Sequence, residues 1–350
     1  MNDLMRESLS YFGLYRKMFQ IKRKYRPVKI PYGRNKEQYF LYYEPTKVMS
    51  DKIIVWAHGG GWNAGNPKFF DFVGQCVCDQ GYRFVSLGYR LSPKYKYPCQ
   101  IKDVCAAYNS AVSYLKENGH DVSKVVAAGP SAGAHLMSIM CYSRKVQEKY
   151  KVDVSNIIGF IGSGGPYSFR DDQSMMLRLL LDQLFKKGYN RRNGEPAALM
   201  GKSHIPMLLI QSRHDGLIDF ACAENFAKRA RELGNVCELY SVTDKKNTHS
   251  WYTAGMFLET RDENKGLDKF FSWIEELNYP RGRTNLTTPE VGLAPTEQTT
   301  PEVERHPRGR TAPEVERHPR GRTAPQRSSE RTPEETSNDR IQRNEDTIQR

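Results

Sequence analysis

Residues 125–142 read VVAAGPSAGAHLMSIMCY and hold the most informative pattern in the chain. The apolar run 125–128 predicts a buried strand, and the apolar stretch 132–142 predicts a helix. Between them, Gly129 and Gly133 flank Ser131 at a spacing typical of a sharp strand-to-helix turn that exposes a serine hydroxyl. The helix dipole favours developing negative charge there. The alternative is a glycine-rich turn without a chemical role, because chance gives about 0.1 such matches per chain of this length.

A second motif, HGGGW at residues 58–62, follows the apolar run 53–57. Three consecutive glycines leave a loop of bare backbone amides that can approach a substrate closely, as an oxyanion hole requires. A phosphate-binding loop is the other interpretation, but no Gly-Lys-Ser/Thr sequence follows and no G-x-G-x-x-G pattern is present. The motif therefore indicates an oxyanion hole. Its residues are His58, Gly59, Gly60, Gly61 and Trp62.

A nucleophilic serine needs a base, and the base needs an acid that holds its tautomer. Asp215 follows the apolar run 207–211, and His249 follows the run 238–242. The order Ser131, Asp215, His249 is the chain order of the α/β-hydrolase triad and differs from both protease orders. Each residue comes just after a predicted strand, at the sheet edge where open α/β folds bind their ligands.

Other residues compete for these roles. Asp219 is a second candidate for the acid, but we expect it at the start of the next helix. His214 directly precedes Asp215, and adjacent side chains point apart, so we interpret it as a solvated loop residue. His135 lies four residues after Ser131 on the predicted helix, and we expect a structural role for it.

The predicted elements indicate one α/β domain over residues 37–278. Apolar runs of four to six residues, separated by amphipathic segments of ten to fifteen, are typical of a mostly parallel sheet with helices on both faces. The stretch 166–206 interrupts this rhythm, and we interpret it as a small cap inserted above the sheet. The predicted strands are 38–43, 53–57, 84–89, 125–128, 157–161, 207–211 and 238–242. The predicted helices are 69–80, 101–116, 132–142, 222–233 and 267–277, with a further helical stretch at 175–185.

These motifs, together with YRLSP at residues 89–93, resemble the α/β-hydrolases of the hormone-sensitive-lipase-like esterase group, in its kynurenine-formamidase-like and carbohydrate-esterase-like branch. The resemblance covers about residues 36–278. It implies that Ser131 is the nucleophile, that His249 acts as general base and then acid, and that Asp215 orients His249. It also implies that metals and organic cofactors are not needed.

The resemblance implies further roles around the nucleophile. The backbone amides of Gly60, Gly61 and Ala132 would form the oxyanion hole, and Trp62 would be structural. Pro130 departs from the pattern, since such enzymes usually carry His, Asp or Glu before the serine. Because proline favours an extended residue before it, we expect the turn itself to survive.

The expected function is that of a serine carboxylesterase acting on small or short-chain ester substrates. An arylformamidase that cleaves N-formylkynurenine would use the same triad and remains an alternative. A non-catalytic binding protein on a hydrolase scaffold is a third hypothesis, although an intact Ser131, Asp215 and His249 set argues against it. The oligomeric state does not follow from the sequence.

The net charge of +13 is concentrated in one segment. Residues 1–36, a basic arm, contain 10 Lys and Arg against 2 acidic residues, whereas residues 279–350 contain 13 Arg against 12 acidic residues. Nucleic-acid binding is therefore not expected from charge alone. The segment 279–350 also repeats a twelve-residue unit and is poor in apolar residues, so we predict a disordered tail.

The basic arm has two interpretations. Five apolar residues recur at helical spacing, followed by a basic cluster at 22–26. We expect a helix that caps the active site, and the alternative is an amphipathic helix with weak contact to an anionic membrane surface. The five residues are Met5, Leu9, Phe12, Tyr15 and Phe19.

The cellular setting is inferred from what the sequence lacks. No apolar run is long enough to span a membrane, and the N-terminal residues do not follow the order of a secretory signal. The seven cysteines form no C-x-x-C pair, which favours reduced thiols. A cytoplasmic protein is expected.

Overall fold

The computed structural model describes residues 3–171 and 174–277. These residues lie in the first of two units of the chain, which ends at Thr284. The predicted tail, residues 279–350, lies outside the described residues. Within them, no helix is long and apolar enough to cross a membrane.

Eight strands of the described residues form one sheet in the order β1-β2-β4-β3-β5-β6-β7-β8. Strands β3 to β8 run parallel, whereas β2 pairs antiparallel with both β1 and β4. The strands are β1 Val28–Pro31, β2 Tyr39–Tyr43, β3 Ile53–Ala57, β4 Arg83–Leu87, β5 Val125–Pro130, β6 Ile157–Ser163, β7 Met207–Ser212 and β8 Cys237–Val242.

Helices cover both faces of this sheet. Along β3, Val55 belongs to one apolar core, and Ile54 and Trp56 belong to the other. Alternate side chains point to opposite faces, so a strand buried on both sides reads as a continuous apolar run. The helices are α1 Asp3–Gln20, α2 Asp71–Asp79, α3 Cys99–Glu117, α4 Ala132–Tyr142, α5 Arg144–Tyr150, α6 Met175–Leu184, α7 Pro196–Leu199, α8 Phe220–Glu232, α9 His249–Thr253 and α10 Lys265–Glu276. Two 3₁₀ turns, Arg191–Gly194 and Gly255–Leu258, complete the elements.

The seven predicted strands are all present, with ends that differ by at most two residues. Strand β1 was not predicted. It lies at the sheet edge, is largely exposed and contains Pro31, so it lacks the apolar pattern of the inner strands. Because β1 pairs with β2, the predicted basic arm 1–36 contributes a strand to the sheet. The short helices α5, α7 and α9 were also missed.

Candidate active site

The turn at the end of β5 holds Ser131 in a strained backbone conformation. Its φ is +49° and its ψ is −120°, which is uncommon for a residue other than glycine. The Ser131 amide donates a 2.7 Å hydrogen bond to the carbonyl of Ser163 at the end of β6. The neighbouring sheet strand therefore fixes the serine at the carboxyl edge of the sheet. Pro130 ends β5 and is compatible with this turn, as expected.

The two glycines of the turn allow helix α4 to approach β3 and β5 closely. A Cβ on Gly133 would lie 2.0 Å from the carbonyl oxygen of Ala57, and a Cβ on Gly129 would lie 2.6 Å from the carbonyl carbon of Gly133. Both distances are far shorter than van der Waals contact. The G-x-S-x-G spacing is therefore required by packing between the strands and the helix.

The loop after β7 holds the Asp215 carboxylate through backbone amides. Its Oδ1 accepts hydrogen bonds from the amides of Leu217 and Ile218, both at 2.8 Å. The side chain is 1% exposed. Asp219, the competing acid, lies directly before α8, as the sequence predicted.

The second oxygen of Asp215 binds three side chains. His249 Nδ1 lies 2.8 Å from Oδ2, the Tyr252 hydroxyl donates at 2.5 Å, and Gln211 Nε2 donates at 3.2 Å. A carboxylate on Nδ1 leaves Nε2 of the imidazole as the nitrogen that can exchange protons. Burial, and then the Asp215 carboxylate, raise the pKa of Tyr252, so its phenol keeps the proton that it donates.

Tyr252 and Gln211 were not identified from the sequence. Tyr252 lies three residues after His249, and this spacing places two side chains on the same side of a helical turn. The short helix α9 itself was not predicted, so this signal was not available. Gln211 is the fifth residue of β7 and was included in the apolar run of the predicted strand.

The imidazole of His249 lies close to the serine turn. A Cβ on Gly164 would be 3.1 Å from His249 Cε1. Gly164 directly follows Ser163, whose carbonyl binds the amide of Ser131. The structure thus brings together the three residues that the sequence predicted as a triad. His214 instead has its Nδ1 3.6 Å from a carboxylate oxygen of Asp3 on α1.

The glycine loop after β3 passes beside the serine. A Cβ on Gly59 would be 3.5 Å from Ser131 Cβ, and Gly60 and Gly61 have φ values of +107° and +56°. Both conformations favour glycine. No acceptor in the described part of the chain binds the amides of Gly60, Gly61 or Ala132. These three donors are therefore available to a ligand, as an oxyanion hole requires.

His58 and Tyr89 support the glycine loop from below. The two rings stack with centroids 4.2 Å apart, and the Tyr89 hydroxyl donates to the carbonyl of His58 at 2.8 Å. His58 Nδ1 donates to the carbonyl of Gly59 at 2.7 Å. Burial lowers the pKa of His58 to about 4, so the ring is neutral at pH 7. Arg90 pairs in two places with the buried carboxylate of Asp103, both at 2.7 Å.

Trp62 and His135 connect the glycine loop to the predicted cap. Trp62 Nε1 donates to His135 Nδ1 at 3.3 Å, and His135 Nε2 donates to the carbonyl of Gly194 at 2.7 Å. Burial lowers the pKa of His135 to about 4, which keeps the imidazole neutral. Helix α6 of the cap segment lies over the loop, since a Cβ on Gly61 would meet Leu180 at 2.9 Å.

The N-terminal helix α1 holds the segment that carries His249. Glu7 Oε1 accepts a 2.9 Å hydrogen bond from the amide of Ser250. Ser10 Oγ lies 2.8 Å from Ser250 Oγ and accepts from Thr248 Oγ1 at 2.9 Å. The residues on both sides of His249 are thus tied to α1. No local pattern could reveal these contacts, because about 240 residues separate the partners.

Helix α1 packs on the domain mainly through a face other than its apolar stripe. Leu14 is buried, and Glu7 and Ser10 make the contacts to α9. The five apolar residues of the predicted stripe are all exposed instead. Helix α1 therefore contacts the segment of His249, and its apolar stripe stays exposed, although the Tyr15 ring packs against Phe69. The stripe residues are Met5, Leu9, Phe12, Tyr15 and Phe19.

The described residues offer little for metal chemistry. They contain no group of three or more His, Cys, Asp or Glu side chains that could hold a metal ion. None of the seven cysteines, all of which lie within the described residues, forms a disulfide. The paired side chains of Asp215 and His249, the Ser131 turn and the amides of the glycine loop lie at this edge of the sheet.

The model of the BD-FAE family matches residues 41–230, which is more than half of the chain. The chain belongs to the BD-FAE family. The match includes the glycine loop, the serine turn and the loop of Asp215.

Curated relatives match over shorter segments. The chain is 28% identical over 112 residues to the carboxylic ester hydrolase LipN of Mycobacterium tuberculosis, which covers 31% of this chain and 30% of LipN. It is 33% identical over 101 residues to the carboxylesterase NlhH of the same species, and the match covers 29% of this chain and 32% of NlhH. A segment of the FAD-linked oxidoreductase pytB of Aspergillus terreus is 38% identical over 98 residues, covering 27% of this chain and 11% of pytB. The chain thus spans less than a third of the length of these relatives.

Solved structures of esterases share the fold. Esterase B of Lactobacillus rhamnosis, in a structure that names a C4-C4 SN3 tributyrin phosphonate, aligns with a TM-score of 0.65 at 18% identity, covering 77% of this chain and 92% of that one. A hormone-sensitive lipase from a metagenome library aligns with a TM-score of 0.60 at 20% identity, and the alignment covers 76% of this chain and 91% of that one. These structures confirm the predicted α/β-hydrolase fold. The family match and the carboxylesterase relatives support the resemblance to esterases that the sequence motifs indicated.

Proposed function

We propose that this protein is a serine carboxylester hydrolase that cleaves small or short-chain esters through an acyl-enzyme. The observation that carries the proposal is the 2.8 Å contact between Asp215 Oδ2 and His249 Nδ1, next to the strained Ser131 turn. The names of LipN and NlhH, both carboxylic ester hydrolases, support the same reaction class.

The first step is attack of Ser131 Oγ on the ester carbonyl carbon. His249 Nε2 takes the hydroxyl proton, and the Asp215 carboxylate stabilises the imidazolium that forms. The carbonyl oxygen becomes an oxyanion, which the amides of Gly60, Gly61 and Ala132 bind. These amides have no acceptor among the described residues, so no hydrogen bond must be broken to receive it.

The second half of the reaction restores the enzyme. The oxyanion collapses, the bond to the alkoxy oxygen breaks, and His249 gives its proton to the leaving alcohol. Water then attacks the acyl-Ser131 carbonyl while His249 takes a proton from it. Collapse of this second intermediate releases the carboxylic acid and returns the proton to Ser131.

Helix α6 supports a preference for small acyl groups. Leu180 lies so close to Gly61 that an added Cβ there would be 2.9 Å from its Cδ2. Asn63 Nδ2 also donates to Gln183 Oε1 at 2.8 Å, which ties α6 to the glycine loop. The space above the amide donors is therefore bounded by an aliphatic side chain on a fixed helix.

The proposal is tested by labelling the purified full chain with a fluorophosphonate and by measuring hydrolysis of p-nitrophenyl acetate and butyrate. We expect the wild type to be labelled and active. Ser131→Ala should lose labelling and about 10⁴-fold or more of kcat/KM, as loss of a triad nucleophile does. The matched control Ser155→Ala changes an exposed serine outside the site and should behave as wild type.

Two results would overturn the proposal: an unlabelled wild type, or labelling of Ser131→Ala that equals that of the wild type. An N-formylated arylamine should be assayed in parallel. Labelling of Ser131 with turnover of the formamide and no ester hydrolysis would assign the same residues to an amide substrate. The carboxylester assignment would then be wrong.

A further inference from the structure

The outward face of α1 is an exposed apolar stripe. Leu9, Phe12 and Phe19 are 65%, 79% and 88% exposed. Large aromatic side chains at such exposure lose the favourable burial of their apolar area, about 25 cal/mol per Å². A helix with one face packed on a domain and a second apolar face outside it is typical of an interaction surface.

The stripe is not uniformly apolar. At 100° per residue, Arg16 lies on the same side of α1 as Leu9, Phe12 and Phe19, and it is exposed. No acidic side chain of the described residues pairs with Arg16. The surface therefore combines aromatic groups with an unneutralised cation.

A groove lined by cations begins where α1 ends. It has a volume of about 610 Å³, and four cationic side chains line it against one carboxylate, that of Asp71. Asp71 pairs with one of the four, at 3.3 Å from Arg23. The groove therefore keeps an excess of positive charge. Its cations are Arg23, Arg26, Lys29 and Lys68.

The stripe and the groove are neighbours in space. The ring of Tyr15 on α1 packs edge-on against Phe69, with centroids 6.1 Å apart. Lys68, which precedes Phe69, lines the groove. A second cavity, of about 360 Å³, shares Lys29 and Lys68 with the groove and adds Lys36 and one carboxylate, that of Glu37, so cations outnumber carboxylates there too. Aromatic and cationic groups thus form one continuous surface from α1 to β1.

Helix α6 extends the apolar surface on the other side of the glycine loop. Met175, Met176 and Leu179 are exposed there, while Leu180 packs over Gly61. Helix α1 contacts the segment of His249, and α6 contacts the glycine loop. Exposed apolar side chains therefore flank the candidate active site on two sides.

We propose that this surface docks the protein on an anionic lipid bilayer, with the stripe of α1 at the acyl boundary and the cationic groove at the headgroups. Interfacial helices bind lipid through apolar burial together with attraction between basic side chains and anionic headgroups. Each basic residue near such a surface adds to this attraction, which salt weakens.

Charge favours a lipid surface over a second copy of the chain. A symmetric contact between two copies through α1 would place Arg16 and the neighbouring cations near their own counterparts. Like charges in contact oppose association, whereas anionic headgroups neutralise them. The cations that line the groove would thus oppose self-association and favour lipid.

The proposal is tested by co-sedimentation with two kinds of vesicle. One kind contains phosphatidylcholine alone, and the other contains phosphatidylcholine with about 30% phosphatidylserine, which makes its surface anionic. We expect the full chain to pellet with the anionic vesicles, and to do so less as salt is raised. The double variant Phe12→Ser/Phe19→Ser should lose most of this binding, and Arg26→Glu/Lys29→Glu should lose it on anionic vesicles. Every variant carries the same residues 279–350, so the differences report the surface alone.

The matched control is Val236→Ser, which removes an exposed apolar side chain just before β8, at the opposite edge of the sheet. It should pellet as the wild type does. Thermal unfolding establishes that each variant is folded. Equal pelleting of the wild type and Phe12→Ser/Phe19→Ser, or no pelleting of the wild type, would overturn the proposal. A dimer in analytical ultracentrifugation that the double variant abolishes, without vesicle binding, would assign the stripe to self-association instead.

Discussion

The serine side and the histidine side of the candidate site are held in different ways. Ser131 sits between a fully buried strand and a buried helix, and its turn is shaped by Gly129 and Gly133 against the backbone of β3. His249 begins a five-residue helix, and the side chains of Asp215 and of residues on α1 hold it. The serine side thus depends on core packing, and the histidine side on hydrogen bonds between distant parts of the chain.

Because of this difference, substitutions on the two sides should affect different properties of the protein. Backbone packing in a dense core tolerates no added volume, so a methyl group in the serine turn should lower the stability of the whole domain. A single hydrogen bond contributes about 1 kcal/mol, so its loss should change the position of one side chain and little else. The two sides should therefore respond differently to substitution.

The largest effect is expected for the acid on the histidine side. Asp215→Asn removes the charge that fixes the His249 tautomer, and kcat should fall about 10³- to 10⁴-fold, as for a triad aspartate elsewhere. Steady-state kinetics on p-nitrophenyl acetate measures this. Asp219→Asn, four residues away, is the matched control and should keep kcat within about threefold, since the carboxylate that contacts His249 Nδ1 is that of Asp215. Equal losses in the two variants would contradict the assignment of Asp215.

The next effect concerns the serine side. Gly133→Ala places a Cβ 2.0 Å from the carbonyl oxygen of Ala57, so the backbone must move. We expect the free energy of unfolding to fall by about 3 kcal/mol, at the upper end of overpacking effects. Urea denaturation followed by circular dichroism measures it.

The control for this substitution is Gly201→Ala, where an added Cβ would be 3.6 Å from the carbonyl oxygen of Tyr142, an ordinary contact. Its unfolding midpoint should match that of the wild type. If Gly133→Ala were as stable as Gly201→Ala, the close approach of α4 to β3 would not constrain the turn.

A smaller effect is expected from pH. His58 and His135 are buried and neutral, each with its pKa lowered from 6.5 to about 4. Between pH 6.5 and pH 4 the unfolded chain binds more protons than the folded one. The contribution of these histidines to the free energy of unfolding is therefore fully present above pH 6.5 and is lost as the pH falls toward 4. The loss approaches about 1.4 kcal/mol per pH unit for each histidine.

Replacing one of the two histidines should remove its share of this dependence. In His135→Gln, the free energy of unfolding should fall about 1 to 2 kcal/mol less than in the wild type between pH 6.5 and 5. Urea denaturation at several pH values measures the slope, independently of the absolute stability of the variant. Identical slopes in both proteins would show that His135 is not held neutral.

The smallest effect returns to the histidine side. Ser10→Ala removes the hydroxyl that links Thr248 to Ser250 and should lower kcat about fivefold, equivalent to about 1 kcal/mol, with KM and the unfolding midpoint nearly unchanged. Gln20→Ala, at the exposed end of the same helix, is the control. A loss of stability without a change in kcat would assign Ser10 a structural role only.

The sequence by itself determined the inner strands of the sheet and the positions of Ser131, Asp215 and His249 after them. A strand buried on both faces appears in the sequence as a continuous apolar run. A pair of glycines around a serine at a strand end indicates that the backbones of strand and helix lie close together. Both signals are contained in a few consecutive residues. The same locality explains what was missed. Strand β1 is a four-residue, largely exposed edge strand, so it lacks the continuous apolar run of the strands that are buried on both faces.

Only the tertiary structure decided which side chains hold His249 and which face of α1 packs on the domain. Tyr252 and Gln211 meet on one oxygen of Asp215, and Glu7 reaches the amide of Ser250 across 243 residues. The apolar periodicity of α1 identified a stripe, but buried hydrogen bonds to α9 are made by a different face of the helix. Apolar periodicity identifies a helix face, and contacts between distant segments determine what that face meets.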